Sequence, residues 1–294
     1  MFQSSTRPAQ QATIPVSRRF FRRIRSGILR FEFLYRLLLK WKYGSAHFEM
    51  VPVAKLPNGV LQSCTEWQQA TKQGISLKLP LHRAAEKNWD HLAAVYAIAN
   101  TVPKCGYVLD AGAEFYSNVL PALYVCGFRN LFGINLAFTD PARRGPIHYL
   151  PGDITRTVFA DGTFDAITCL SVIEHGVSLL DFFKEMYRLL KPGGIMIIST
   201  DYFPDPIDTK MQAAYGTPIR IFSREQATEM ITMAVESGFQ TTGEINLSCS
   251  QRPIRWDAYD LEFSFLIFTL RRPLKAGSPD LDDQFQPAAL SDRI

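Results

Sequence analysis

Short apolar runs alternate with amphipathic stretches from residue 106 to residue 270, and this pattern constrains the fold more than any other feature of the chain. The runs YVLD, LFGINL, IHYL and FDAITCL are each short enough to be one strand. The run IMIIST at 195–200 is continuous and β-branched, which is typical of a central strand buried on both faces. Two further strands are expected near 239–247 and 263–270. Strands that alternate with helices predict a mostly parallel α/β sheet with helices on both faces.

Capping signals mark the start of two helices in this region. Ser178, followed by Asp181 three residues later, predicts the N-cap of a helix that the sequence KPGG ends. Ser223 and Gln226 have the spacing of a capping box and predict the start of a second helix.

The composition divides the chain into four segments. We expect a disordered N-terminus (1–17), a basic amphipathic helix with a connecting region (18–87), the main folded domain (88–270) and a flexible C-terminal tail (271–294). Within the second segment, residues 51–87 contain several Pro, Asn and Gly residues and show no sustained periodicity, so they are interpreted as a connection.

The N-terminal helix is predicted over 18–42, where apolar residues such as Phe31, Tyr35 and Leu38 recur at steps of three and four. Arginines fill the other positions, and the first acidic residue of the chain is Glu32. Three roles stay open: packing over a ligand cleft, peripheral docking on an anionic membrane surface, and a mitochondrial-type presequence. Nucleic-acid binding is not expected, because the net charge is only +4 and the basic residues sit on one short helix.

The sequence also argues against several other classes of protein. The longest apolar stretch near the front, 31–41, is interrupted by charges and is shorter than the roughly 18 apolar residues that span a bilayer. No secretory signal is apparent, so a cytoplasmic location is expected. The five cysteines form no C-x-x-C pair, and neither a zinc site nor a disulfide framework is predicted.

The motifs at the strand ends follow a characteristic order: YVLDAGAEFY, GIN, PGDIT, FDAITCLSVIEHG and RLLKPGG. Together they resemble the class I, Rossmann-like S-adenosylmethionine-dependent methyltransferases, in particular the type 11 branch that acts on small molecules, over roughly 88–270. The resemblance implies a seven-stranded, mostly parallel sheet whose last strand is antiparallel, with S-adenosylmethionine as the cofactor.

The resemblance also assigns the cofactor contacts. Gly112 would let the backbone approach the homocysteine part, and Asp110 would contact its ammonium group directly or through water. Asp153 and Ile154 resemble the pair that meets the adenine, and Ser171 belongs to the same predicted set. The alternatives are a helix-capping role for Asp110 and a surface turn at Asp153.

The chain departs from the family pattern at two places. Asn135 stands where the family usually has an Asp or Glu that accepts hydrogen bonds from both ribose hydroxyls, and the weaker amide acceptor is expected to cost about 1 to 2 kcal/mol of cofactor affinity. Where further glycines are common in the family, the chain has AGAEFY, whose side chains are expected to narrow or reshape the pocket wall. Glu114 and Tyr116 either make replacement contacts to the cofactor or mark a pocket that has lost affinity.

His175 is the candidate catalytic base, since it follows the fourth strand at the ligand-binding edge and an imidazole pKa of about 6.5 suits proton removal. A structural histidine at this turn is the alternative. Glu174 and Asp201 are candidates for binding Mg²⁺ or orienting a hydroxyl, although solvated loop carboxylates are the simpler interpretation. The long loop 201–222 is expected to build the acceptor pocket.

The predicted function is therefore S-adenosylmethionine-dependent methyl transfer, with O-methylation of a sugar or another small polar metabolite as the expected reaction. The competing hypothesis is a catalytically inactive methyltransferase-like module that binds a partner or membrane through its basic helix. An NAD-dependent oxidoreductase is disfavoured, because no G-x-G-x-x-G follows the first strand. The acceptor and the oligomeric state stay open.

Overall fold

The computed structural model describes residue 27 and residues 29–44, 55–214 and 216–274. The predicted disordered segment 1–17, the first part of the basic helix and the end of the C-terminal tail lie outside the described residues. None of the described helices is both long and apolar enough to cross a membrane.

The helices pack around a central sheet. They are α1 (Glu32–Tyr43), α2 (Cys64–Ser76), α3 (Asn88–Thr101), α4 (Val119–Val125), α5 (Leu179–Leu189) and α6 (Arg224–Glu236). The strands are β1 (Gly59–Val60), β2 (Tyr107–Ala111), β3 (Asn130–Asn135), β4 (Ala142–Arg144), β5 (Ile147–Pro151), β6 (Phe164–Leu170), β7 (Leu190–Tyr202), β8 (Ala213–Ala214), β9 (Thr217–Pro218), β10 (Gln240–Thr241), β11 (Ile254–Trp256) and β12 (Leu261–Arg271).

The main sheet has the strand order β1-β12-β7-β6-β2-β3-β5-β4, and β10 and β11 also pair with β12. The strands β5, β3, β2, β6 and β7 are mutually parallel, whereas β12 runs antiparallel to β7. The predicted Rossmann-like α/β fold with an antiparallel last strand is confirmed. The sheet has ten strands rather than seven, because β1, β4 and β11 are short additions at its edges.

The core lies on both faces of the sheet, as the apolar runs predict. Val108 of β2 belongs to a cluster that includes Val95 of α3, whereas the next residue, Leu109, belongs to a second cluster that includes Phe183 of α5. Successive residues of a strand point to opposite faces, so a strand covered on both sides is apolar at most of its positions.

Two predictions about secondary structure are corrected. The connecting region 51–87 contains the helix α2, which the sequence did not predict because only Gly74 of this helix is fully buried and no clear apolar stripe marks it. The strand predicted near 239–247 is reduced to β10. It cannot extend far along β12, because β1 pairs with Leu266 and Ile267, a few positions further along the same strand.

The predicted helix starts differ in their chemistry. Ser223 and Gln226 form the predicted capping box, in which each side chain accepts a hydrogen bond from the other residue's backbone N–H. Ser178 occupies the N-cap position of α5, but its hydroxyl donates to the Asp181 carboxylate at 2.7 Å and makes no cap hydrogen bond to the backbone.

The apolar face predicted for the N-terminal helix is also partly wrong. Tyr35 is buried as predicted, but Phe31 is 56% exposed and lies outside α1, and Leu39 rather than Leu38 is the second buried residue of the helix. The backbone at Phe31 is extended and interrupts the helical path just before α1, which changes the face that packs on the domain.

Candidate functional site

A cleft of about 960 Å³ lies at the carboxyl ends of the parallel strands. Each of the five parallel strands contributes one lining residue at or just beyond its end: Gly112, Asn135, Asp153, Ser171 and Asp201. Open α/β sheets bind their ligands at this edge, because the loops after the strands converge there. The structure therefore brings together most of the residues selected from the sequence.

The turn after β2 is held in a conformation that requires glycine. Gly112 has a φ of +89°, and a Cβ added there would lie 2.4 Å from Cγ2 of Val172. The backbone N–H of Gly112 donates to the carbonyl of Ile134 at 2.8 Å. The absence of a side chain lets the chain turn closely beside Val172, which itself lines the cleft.

Asn135 fixes this turn with its side-chain amide. Its Nδ2 donates to the carbonyl oxygens of Gly112 and Ala113, both at 3.0 Å, and its Oδ1 accepts from the N–H of Ala137 at 2.8 Å. A carboxylate has no N–H to donate and could not make the first two hydrogen bonds. The departure from the usual acidic residue thus has a structural role in this chain.

Asp110 is buried, and Thr168 donates a hydrogen bond to its Oδ1 at 2.8 Å. Burial raises the pKa of this carboxyl to about 7. Asp110 does not belong to the described residues that line the cleft. The hydrogen bond from Thr168 uses only one of the two carboxylate oxygens, so both predicted modes of cofactor contact, direct and through water, stay open.

The AGAEFY turn contributes two large side chains to the lining of the cleft. Glu114 and Tyr116 line the cleft, and burial raises the pKa of the Glu114 carboxyl. Phe115 instead packs against Phe138 and Tyr149, with ring centroids 4.7 Å and 5.1 Å apart. Its ring is part of the packing behind the turn, so only two side chains of this segment face the cleft.

The end of the cleft predicted to meet adenine combines one carboxylate with aliphatic side chains. Oδ1 of Asp153 accepts hydrogen bonds from the backbone N–H and the hydroxyl of Thr155, both at 2.8 Å, and Ile154 is buried beside it. Leu136 also lines the cleft although it is 75% exposed, and the sequence analysis missed it. Its position directly after Asn135 was the available signal.

The other end of the cleft contains His175, Glu174 and Asp201. Burial lowers the pKa of the His175 imidazole, and the nearby Asp201 opposes that shift. Burial raises the pKa of Glu174 and of Asp201 to about 7, although the positive charge of Lys87 lowers the pKa of both carboxyl groups. The interpretation of Glu174 and Asp201 as solvated loop carboxylates is therefore wrong, because they are only 2% and 5% exposed.

Lys87 is the cation of this cluster, and the sequence analysis did not select it. Its ammonium donates to Oγ of Ser171 at 2.6 Å, lies 3.7 Å from Oδ1 of Asp201 and sits 3.8 Å above the ring centroid of Phe265. The hydroxyl of Ser171 thus accepts a hydrogen bond from Lys87 and keeps its own proton to donate. Lys87 precedes α3 in an ordinary polar stretch, so no local signal identifies it.

Asp201 leaves a hydrogen-bonding atom unused in the cleft. Its buried Oδ1 has no hydrogen-bond partner among the described residues, although the Lys87 ammonium is nearby. The Glu174 carboxylate accepts a hydrogen bond from the Thr200 hydroxyl at 3.0 Å. A buried acceptor without a partner is costly, and a ligand that donates a hydrogen bond there would satisfy it. Within the described residues, no group of three or more His, Cys, Asp or Glu side chains is arranged to hold a metal ion.

Another wall of the cleft comes from β11 and β12 rather than from the loop predicted to form it. Trp256 of β11 and Phe263 and Phe265 of β12 line the cleft. Of the described part of loop 201–222, only Asp201 and Thr217 do so. Other apolar residues of the loop, among them Phe203 and Ile219, belong to the same buried cluster as Phe263 and Phe265, so most of the loop packs against this wall and does not line the cleft.

Comparison with known proteins gives a match to a family model described as a methyltransferase domain, over residues 125–198. This segment contains GIN, PGDIT, FDAITCLSVIEHG and RLLKPGG. The resemblance to the type 11 methyltransferases is thereby confirmed over the matched residues.

Two curated proteins illustrate the range of similar sequences. The chain is 25% identical to a sterol 24-C-methyltransferase of Debaryomyces hansenii over 51% of this chain and 44% of that protein. It is 30% identical to a demethylmenaquinone methyltransferase of Beutenbergia cavernae over 31% of this chain and 37% of that protein. The matched region is less than half of either relative.

Among solved structures, one similar chain is an S-adenosylmethionine-dependent methyltransferase from Mesorhizobium loti. The sequence identity is 18%, the TM-score is 0.44, and the match covers 63% of this chain and 98% of that one.

Proposed function

Since residues 125–198 match the methyltransferase-domain family, we propose that the protein transfers a methyl group from S-adenosylmethionine to a small-molecule acceptor bound in the cleft. The observation that carries this proposal is the arrangement of one continuous cleft, with the Gly112 turn and Asp153 lining one part and His175 and Asp201 lining another. S-adenosylmethionine would supply an electrophilic methyl group on a sulfonium.

The residues around the turn fit the cofactor. The Gly112 backbone has no Cβ to obstruct a close approach, and Oδ1 of Asn135 retains a lone pair for a ribose hydroxyl. Leu136 and Ile154 offer aliphatic surface to a flat base, and Asp153 offers a carboxylate to an exocyclic amine. The predicted contacts of Glu114 and Ser171 belong to the same proposal.

His175 is proposed as the base that accepts the proton of an alcohol acceptor. Because burial lowers the imidazole pKa, the side chain is neutral and able to accept a proton at neutral pH. As the acceptor oxygen forms its bond to the methyl carbon and the carbon–sulfur bond breaks, the hydroxyl proton would pass to His175. The carboxylate of Asp201 would stabilise the imidazolium that results.

The acceptor is proposed to donate a hydrogen bond to the Asp201 carboxylate. The unsatisfied Oδ1 of Asp201 and the polar side chains of Glu174 and Lys87 favour a hydroxylated acceptor, and the sugar or small polar metabolite expected from the sequence fits this description. The ring of Trp256 would cover the apolar side of such a molecule.

Methylation at carbon is a second candidate. The two curated relatives are named for a sterol and for demethylmenaquinone, and the cleft wall of Trp256, Phe263 and Phe265 is apolar enough for a lipophilic ring. An alkylated carbon acceptor would lose a proton after methyl transfer, and His175 would accept it.

Calorimetric titration with S-adenosylhomocysteine tests the proposal without knowledge of the acceptor. We expect binding in the micromolar range that weakens at least about tenfold in Gly112→Ala, because the new Cβ clashes with Val172 and disfavours the φ of +89°. Gly162→Ala is the matched control, since Gly162 also has a positive φ of +61° but has open space around it. No binding at millimolar ligand would overturn the proposal and favour the inactive module.

A further inference from the structure

The helix α1 is fixed to the domain by its inner face. Tyr35 and Leu39 are buried, and the ring of Tyr35 stacks on that of Tyr124 with centroids 5.6 Å apart. Just before the helix, the carbonyl of Leu29 accepts a hydrogen bond from the N–H of Gly145 at 2.8 Å. These contacts set which face of α1 points away from the protein.

The first turn of α1 adds polar contacts that fix the helix further. The Glu32 carboxylate lies 3.2 Å from Nε of Arg129 and accepts a hydrogen bond from the Tyr124 hydroxyl at 3.2 Å. Glu32 is the only acidic residue of α1. Because its carboxylate pairs with the domain, the outer face of the helix carries no acidic side chain.

The outer face of α1 exposes large apolar side chains. Phe33, Leu37 and Trp41 are 74%, 54% and 82% exposed, and their spacing of four residues places them along one stripe of the helix. Leu34 beside them is 36% exposed. Of the 14 exposed large hydrophobic side chains among the described residues, five lie within residues 31–41, whereas scattered single exposures are the usual pattern of a protein surface.

Basic residues accompany this stripe. Arg30, Arg36, Lys40 and Lys42 are all exposed. Residues 18–42 together contain nine basic residues and the single acid Glu32. An apolar stripe with a dense positive charge around it matches the chemistry of a bilayer surface that contains anionic lipids, where apolar side chains enter the headgroup boundary and cations meet phosphates.

We propose that α1 docks the protein on an anionic lipid bilayer, with Phe33, Leu37 and Trp41 inserted at the headgroup boundary. The positive charge of this segment favours an anionic bilayer over a second copy of the chain as the partner of this face. Pairing two such faces would bring two strongly basic segments together. This docking is independent of methyl transfer and would hold the cleft at a fixed orientation to the membrane.

Flotation of the full chain with vesicles tests the charge requirement. We expect binding to phosphatidylcholine vesicles that contain about a third phosphatidylserine, and a steady loss of binding as salt is added. Vesicles of phosphatidylcholine alone should bind at least about tenfold less protein. Absence of binding to the anionic vesicles, or equal binding to both kinds, would overturn the proposal.

A triple variant tests the apolar stripe. Phe33→Gln, Leu37→Gln and Trp41→Gln together should reduce binding to anionic vesicles at least about tenfold, because the apolar surface that enters the bilayer is removed. The matched control is Val158→Gln with Met211→Gln, which removes side chains that are 89% and 96% exposed elsewhere. Circular dichroism and thermal unfolding verify that both proteins fold.

Two results of this comparison would contradict the proposal. If the triple variant bound anionic vesicles as well as the native chain does, the basic residues alone would account for the binding. A dimer that dissociates in the triple variant, without vesicle binding by the native chain, would assign the stripe to contact between copies.

The fluorescence of Trp41 gives a direct readout of insertion. We expect quenching by brominated lipids in anionic vesicles and loss of most of that quenching in Trp41→Phe, which preserves the apolar stripe. Quenching that persists unchanged in Trp41→Phe would place another tryptophan, and not α1, at the membrane.

Discussion

Asn135 stands where the resembling methyltransferases usually have a carboxylate, and its amide does what a carboxylate cannot. Two carbonyl oxygens, those of Gly112 and Ala113, receive hydrogen bonds from the same Nδ2. An Asn in place of Asp or Glu thus suits this turn, because the two carbonyl groups need a hydrogen-bond donor. From the sequence alone, only the loss of charge toward the ribose could be deduced, because the position of the two carbonyl groups depends on the folded turn.

Replacing Asn135 by Asp should therefore destabilise the protein. Asn135→Asp removes two hydrogen bonds and places a negative oxygen beside two carbonyl groups, so we expect a loss of about 2 kcal/mol in the free energy of unfolding measured with urea. Asn130→Asp is the control, since Asn130 also donates to a backbone carbonyl, that of Cys105, but at an exposed position where water replaces it. Stability equal to the native protein would contradict the structural role of Asn135.

His175 illustrates which residues the sequence could select. Its position in SVIEHG, after a strand of a parallel sheet, was sufficient to predict that it lines the cleft, and it does. Lys87 could not be selected, since its three partners Ser171, Asp201 and Phe265 are all more than eighty residues away in the sequence.

At the scale of elements, local signals predicted the central strands well and the sheet edges poorly. β7 was predictable from IMIIST because burial on both faces leaves a continuous apolar run. β10 was overpredicted because its length is limited by β1, a segment far earlier in the chain that pairs with the same edge of β12. Competition for one edge is a long-range effect that no local pattern reports.

The two helix starts give a prediction at the same scale. Ser223→Ala should cost about 1 kcal/mol of unfolding free energy, because it removes the capping hydrogen bond to the Gln226 N–H. Ser178→Ala should cost clearly less, because the Ser178 hydroxyl bonds to Asp181 and not to the helix backbone. Chemical denaturation of the two variants checks this, and equal costs would refute the distinction.

For the whole molecule, folding collects charged groups from several segments into one cluster. Lys87 precedes α3, Glu174 follows β6 and Asp201 lies near the end of β7. The two carboxyl groups have pKa values raised to about 7 by burial even though Lys87 lowers them. A raised carboxyl pKa means that stability is lost as the pH rises from the unfolded pKa through the folded one.

Lys87→Met should increase the loss of stability that accompanies a rise in pH. Without the ammonium, the pKa values of Glu174 and Asp201 rise further, so the variant should be destabilised more at about pH 8 than at about pH 6, by an additional amount on the order of 1 kcal/mol. Lys104→Met is the control, since Lys104 sits above the Phe128 ring, and its effect should be the same at both pH values. The measurement is the free energy of unfolding of each variant at the two pH values. If Lys87→Met destabilised the protein equally at both, the coupling of Lys87 to the two carboxyl groups would be contradicted.

The central claim is that one cleft holds both the methyl donor and the acceptor, and a crystal structure of the full chain with saturating S-adenosylhomocysteine tests it most directly. We predict that the ligand lies along the Gly112 turn, with its base between Leu136 and Ile154 and its sulfur directed toward His175. A ligand bound elsewhere, or a cleft that stays empty at saturation, would contradict the account.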